Sequence, residues 1–137
     1  MTVAHDASTE FSATFTTTSP ATVDHTPSGT PRGVIVAIDH GTVADDLITG
    51  VTYGGVSMTR VATAVDPSTE LGRGYIYHLG ANIPTGTQTV SISHTATSTV
   101  KHACVCTVTA AGDTQVGAGG GIQENTANPL VLLGNGD

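Results

Sequence analysis

Basic residues are scarce in this chain. Arg32, Arg60, Arg73 and Lys101 are the only Lys and Arg in 137 residues, and 11 acidic residues leave a formal net charge of −7. Displacing counterions from a phosphate backbone needs clustered cations, and four scattered ones cannot form such a cluster, so no nucleic-acid partner is expected. Charge of either sign is thin as well: 11% of residues are charged, where about a quarter is usual. Tryptophan is absent and aromatics make up 4% of the chain, so any core must be built mainly from small aliphatic side chains. No apolar run approaches the roughly 20 residues that span a bilayer, and no membrane partner is expected. The first ten residues, polar and including His5, Asp6 and Glu10, contain no basic-then-apolar leader. No Asn-x-Ser/Thr acceptor occurs. With two cysteines, Cys104 and Cys106, a disulfide framework is excluded. Two such near neighbours on one strand would make a strained bridge, so buried free thiols are expected, in keeping with synthesis in a reducing cytoplasm.

What remains is Thr, Ser, Ala, Val and Gly. Thr and Val favour pleated, half-buried surfaces, while 17 Gly and 6 Pro supply many turns. Period-two alternation dominates and helical spacing is nearly absent. Glu10 to Thr17 reads as a first strand, preceded by residues 1–9 as a flexible arm. Ala21 to His25 reads as a short second strand. Gly33 to Asp39 is almost continuously apolar, as in a central strand covered on both faces. Leu47 to Tyr53 and Val56 to Ala64 form a hairpin about Gly54-Gly55, a primed-turn pair. Gly72 to Leu79, Thr87 to His94 (Val90 and Ile92 inward) and Val100 to Ala110 follow, and Leu130 to Leu133 reads as one more strand. Turn signals at this spacing, without intervening helices, predict one all-β domain over residues 1–137: an antiparallel β-sandwich, jelly-roll-like or Greek key. Residues 111–137, ending in Gly134-Asn135-Gly136-Asp137, are expected to be extended, or completed by further chain or a neighbouring subunit.

Motifs that would carry chemistry are weak. Gly117 to Gly121 lacks the Gly-Lys-Ser/Thr and helix of a phosphate loop. His102, Cys104 and Cys106 place three soft donors on one strand face, but a flat face rarely converges on a tetrahedral metal. Asp39, Asp45 and Asp46 lack calcium-loop spacing, and the carboxylates Glu10, Glu70 and Glu124 fall at strand ends and loops. No Gly-x-Ser-x-Gly elbow exists. No cofactor, metal or catalytic residue is therefore assigned. Tyr75 and Tyr77 share a strand face and are the candidate ligand or partner contacts, as a stacking platform. The competing reading has them covering the edge of a thin core with wetted hydroxyls.

The segments Gly50-Val51-Thr52-Tyr53-Gly54-Gly55-Val56, Met58-Thr59-Arg60-Val61, Tyr75-Ile76-Tyr77-His78-Leu79 and Pro84-Thr85-Gly86-Thr87, with Gly33 to Ile38 upstream, resemble a β-sandwich module. That module recurs in tailed-phage virion proteins and bacterial surface proteins. The resemblance implies a jelly-roll-like fold with a display, decoration or adhesion role and no shared catalytic residues. The chain lacks a tryptophan common in the module's aromatic strand. The leading expectation is a structural virion protein located in the particle, with the major capsid protein or other virion proteins as partners. It is expected to form a homo-oligomer, a trimer among the arrangements that would cover exposed sheet edges. The alternative is a carbohydrate-binding or adhesion module of a bacterial surface protein, with a glycan as the lesser-ranked partner.

Overall fold

A computed structural model describes residues 3–11, 19–40, 46–65, 72–95 and 100–110. Nine strands occur among them: β1 (Val3–Phe11), β2 (Ala21–His25), β3 (Gly33–His40), β4 (Ile48–Tyr53), β5 (Val56–Ser57), β6 (Thr59–Val65), β7 (Arg73–Leu79), β8 (Gln88–His94) and β9 (Val100–Ala110). They form a five-stranded sheet ordered β1-β9-β3-β7-β6 and a four-stranded sheet ordered β2-β8-β4-β5. Every pairing is antiparallel. The two sheets pack face to face as a β-sandwich.

The connectivity is nested. Strand β4 pairs β5, β3 pairs β7, β2 pairs β8 and β1 pairs β9. The chain is thus one long hairpin folded over itself, with β6 added at a sheet edge; this is jelly-roll connectivity. Its apex is Gly54-Gly55, with φ of 54° and 80°, the left-handed pair that a two-residue primed turn demands.

Alternation along the strands decides the core. In β3, Val34, Val36, Ile38 and His40 point inward. They meet Tyr75, Tyr77 and Leu79 of β7 and Ala103, Val105 and Thr107 of β9 in register. Val90 and Ile92 of β8, with Ile48, Val51 and Tyr53 of β4, cover them from the other sheet. Ile48 and Val51 are three residues apart, which alternation alone would put on opposite faces. A register shift between Ile48 and Gly50 restores both to the interior, the usual effect of a bulge.

Several expectations need correction. Residues 3–9 are paired strand, so the first strand begins well before Glu10. Strand β3 is covered on one face only: Ala37 and Asp39 are exposed and Ile35 is half-buried. The hairpin's second strand is two strands. Val56–Ser57 pairs β4, then Met58 turns inward, its amide donating to the Val51 carbonyl at 2.9 Å. The chain thereafter crosses to pair β7 as β6. Val90 and Ile92 are inward as expected. Residues 12–17 of the expected Glu10 to Thr17 strand, the expected strand Leu130 to Leu133 and the loops at Gly117 to Gly121 and Glu70 lie outside the described residues.

The apex yields a graded test. A Cβ at Gly55 would meet no atom within 4 Å, whereas one at Gly54 would lie 2.9 Å from Pro84 Cγ and clash with the Gln88 side-chain oxygen. Gly55→Ala should cost about 1–2 kcal/mol of stability from left-handed backbone alone, and Gly54→Ala distinctly more. Urea unfolding of the two variants checks the order.

Candidate functional site

Among the described residues, polar and reactive side chains gather at the two ends of the sandwich and on the outer face of the larger sheet. One end is closed by His25. Alternation in β2 turns Ala21, Val23 and His25 toward the interior, and His25 is fully buried. Its Nδ1 lies 2.8 Å from the Thr9 hydroxyl on β1, and its Nε2 lies 3.1 Å from the Thr107 hydroxyl on β9. Thr107 donates in turn to Asp6 Oδ2 at 2.9 Å, and Asp6 also accepts from the Ser28 amide at 3.2 Å. Strand β1 carries a register shift between His5 and Ala7, and Asp6 is the extra residue. The bulge aims its carboxylate toward Thr107, where strict alternation would send it outward with Ser8 and Glu10.

Proton positions follow from this chain of contacts. A carboxylate only accepts, so the Thr107 proton goes to Asp6 and the Thr107 oxygen accepts from His25 Nε2–H. Nδ1 is then the acceptor, and the Thr9 hydroxyl donates to it. In the neutral His25 imidazole that burial favours, this is the Nε2–H tautomer. Burial lowers its pKa below the usual histidine value, against the opposing pull of Asp6.

The other end holds a second fully buried histidine, His40. Its Nε2 lies 3.0 Å from the Tyr75 hydroxyl, which accepts from the Leu47 amide at 3.2 Å. The rings of His40 and Tyr75 are tilted, with centroids 5.5 Å apart. Val34, the register partner of Thr107, and His40 stand at opposite ends of β3, about 20 Å apart at normal strand rise.

Tyr75 and Tyr77 do share a face, and it is the inner one: they are 2% and 4% exposed. Neither ring is displayed to solvent, and the Tyr75 hydroxyl is bonded within the protein. Tyr53 is likewise fully buried, and its hydroxyl has no hydrogen-bond partner among the described residues. Burial raises the pKa of all three tyrosines.

Cys104 and Cys106 are free thiols, half-buried on the outer face of the larger sheet. The expectation of buried thiols is thus corrected: β9 turns Ala103, Val105 and Thr107 inward, and the cysteines must face the other way. Desolvation, with the nearby Glu10, raises the Cys104 pKa; Cys106 is raised by desolvation, then by Cys104 and Asp6. His102 shares their face but is exposed, and among the described residues no three His, Cys, Asp or Glu side chains are grouped to hold a metal. Asp39 is exposed opposite His102 in register. Asp46 is bound to Arg60 through one guanidinium nitrogen, 2.8 and 2.7 Å from its two oxygens. That pair is more than a third exposed and contributes under about 1 kcal/mol. Asp45 and Glu124 lie outside the described residues.

Register places two rows of side chains across the outer face. Ser8, Cys106, Ile35, His78 and Thr59 form one, and Glu10, Cys104, Ala37, Ile76 and Ala62 the other. Desolvation lowers the His78 pKa, which keeps its row neutral near pH 7. A shallow groove of about 270 Å³ lies between the loops that precede β3 and β8, lined by Thr30, Arg32, Asn82, Ile83 and Thr85 among others.

No protein-family model, no curated protein and no solved structure matches this chain. The resemblance stated above accordingly rests on the residues that carry it.

The sequence reading did not single out His25, Thr107, Asp6 or Thr9. Alternation in Ala21–His25 was available to place His25 inward, whereas the bulge that brings Asp6 to Thr107 has no local signature. Two tyrosine substitutions separate a used hydroxyl from an unused one. Tyr75→Phe should cost about 1 kcal/mol or more, because the Leu47 amide and His40 lose a buried partner. Tyr53→Phe should be neutral or slightly stabilising. Thermal or urea unfolding distinguishes the two.

Proposed function

We propose that this chain is a structural virion protein of a tailed bacteriophage, acting by protein–protein assembly as a capsid decoration or as a head or tail appendage component. The observation that carries the reading is the outer face of the five-stranded sheet. Its central positions, Cys106-Ile35-His78 and Cys104-Ala37-Ile76-Ala62, present small and mainly apolar groups across a pleated surface, with the Glu10 carboxylate at the β1 end of the second row. Interface centres are depleted in charge in the same way. The interior offers no competing chemistry among the described residues: both ends of the core are closed by hydrogen-bonded histidines.

Jelly rolls occur in viral capsid proteins and in lectins alike, so the fold by itself does not choose between them. A glycan-binding role would have to use the groove at Arg32 and Asn82, because Tyr75 and Tyr77 face the core. The outer sheet face has the composition of a surface that docks on protein, whether the major capsid protein, another virion protein or further copies of this chain.

Cryo-microscopy of purified particles from a phage encoding the chain is the direct test, with density for the sandwich at fixed positions on head or tail as the expected result. Absence of the chain from particles would sink the reading. Ala37→Lys, at the exposed centre of the face, should fold normally by circular dichroism yet lose incorporation. Incorporation equal to wild type would show that another surface makes the contact.

A further inference from the structure

Strand β1 is attached to the sandwich mainly by polar groups. It is an edge strand whose one described neighbour in the sheet is β9. The residues opposite the buried Ala103, Val105 and Thr107 of β9 are Phe11, Thr9 and Ala7. Among these only Phe11 is large and apolar, and it packs against the core while partly buried. Thr9 spends its inward side on His25, and Asp6 spends its carboxylate on Thr107 and the Ser28 amide. The hydrogen-bonded link from β1 to strand β2 of the second sheet therefore runs through one fully buried imidazole, beside the packing of Phe11 and the Asp6–Ser28 bond. Segments with few apolar contacts open locally at lower free energy than the core.

We propose that His25 is an acid-operated clasp: on protonation it releases β1 from the sandwich, and the uncovered edge of β9 then accepts the equivalent strand of a second copy. The clasp follows from how β1 is packed and stands independently of the virion reading. In the closed state Nδ1 must accept from Thr9. A proton on Nδ1 reverses that bond, forces the Thr9 hydroxyl to turn, and places a cation where no water reaches it.

The described groups facing His25 cannot compensate fully. From β1 comes Asp6, the one carboxylate, which favours the charge. From β9 comes the Thr107 hydroxyl. Strand β4 offers the Tyr53 ring, its centroid 6.2 Å away, and β8 offers Gln88, the register partner. On its own strand Asp24 is exposed and bonded to Thr89. Burial outweighs Asp6, and the folded pKa lies below 6.5.

The sign follows. The open form binds the proton more tightly than the closed form, so closure is fully favoured above about pH 6.5 and weakens as pH falls below it toward the folded value. Lifting β1 hydrates His25 while β9 stays paired to β3 and β2 stays paired to β8. The N–H and C=O groups of β9 that had paired β1, from Ala103 to Ala110, then form an open template for an added strand.

Hydrogen exchange on the full chain, corrected for intrinsic rates, tests the release. Opening of the β1 amides should rise by up to about tenfold per pH unit below pH 6.5, while β3, β4, β7 and β8 keep their protection. His25→Gln, which bonds without titrating, should flatten this response, and Thr9→Val should open β1 already at pH 7.5. A fluorescent peptide of residues 3–11 should be taken up by wild type at pH 5 and not at pH 7.5. The proposal is overturned if β1 stays protected at pH 5, if all strands lose protection together, or if His25→Gln responds to acid like wild type. It is overturned for the acceptor edge if β1 opens and no peptide is taken up.

Discussion

Everything in this sandwich depends on one antiparallel register. The chain doubles back at Gly54-Gly55, and from that apex each strand meets its mirror partner in sequence, out to β1 against β9. Because side chains alternate faces strictly, a register displaced by one residue would exchange inside for outside along a whole strand. The observed register sends Val34, Val36, Ile38, Val51, Val90, Ile92 and all three tyrosines inward, and sends Ile35, Ala37, Ile76 and the cysteines outward. Bulges in β1 and β4 adjust it where the alternation fails.

A chain with 4% aromatics builds a thin core, and the ends of that core are finished with polar groups. His25 and His40 sit fully buried at opposite ends, each bonded to hydroxyls. An unpaired buried imidazole would cost about 1–3 kcal/mol, so the surrounding Thr and Tyr hydroxyls are part of the fold's stability. The two ends differ in kind. His40 is anchored within the body of the sandwich by Tyr75, whose hydroxyl also accepts from the Leu47 amide, whereas His25 joins an edge strand to the opposite sheet. Protonation of His25 would therefore act on the attachment of β1. On the proposed reading, the outer sheet face docks on protein through shape and low charge.

Much of this was legible in the amino acids. The limits of Ala21–His25 and Val100–Ala110 and the inward Val90 and Ile92 follow from alternation, and the Gly54-Gly55 turn from its two glycines. The misreadings have physical causes. Ile35 and Ala37 look like core because apolar composition alone cannot separate a covered face from one left open. Val56 to Ala64 reads as one strand because nothing local marks Met58 as the point where the chain changes sheets. Tyr75 and Tyr77 alternate correctly, but period two does not say which face is inner; that is decided by β3 and β9 on either side. The His25 network joins residues about 80–100 positions apart and depends on a bulge at Asp6, so no local pattern contains it.

The register itself is the claim on which the rest stands, and cross-strand proton contacts in an NMR spectrum of the labelled chain measure it directly. Close contacts are expected between Val23 and Val90, Val36 and Tyr77, and Val36 and Val105, with the His25 ring near Thr9 and Thr107. A pattern displaced by one residue, with Cys104 and Cys106 contacting Val90 or Ile92, would contradict the account.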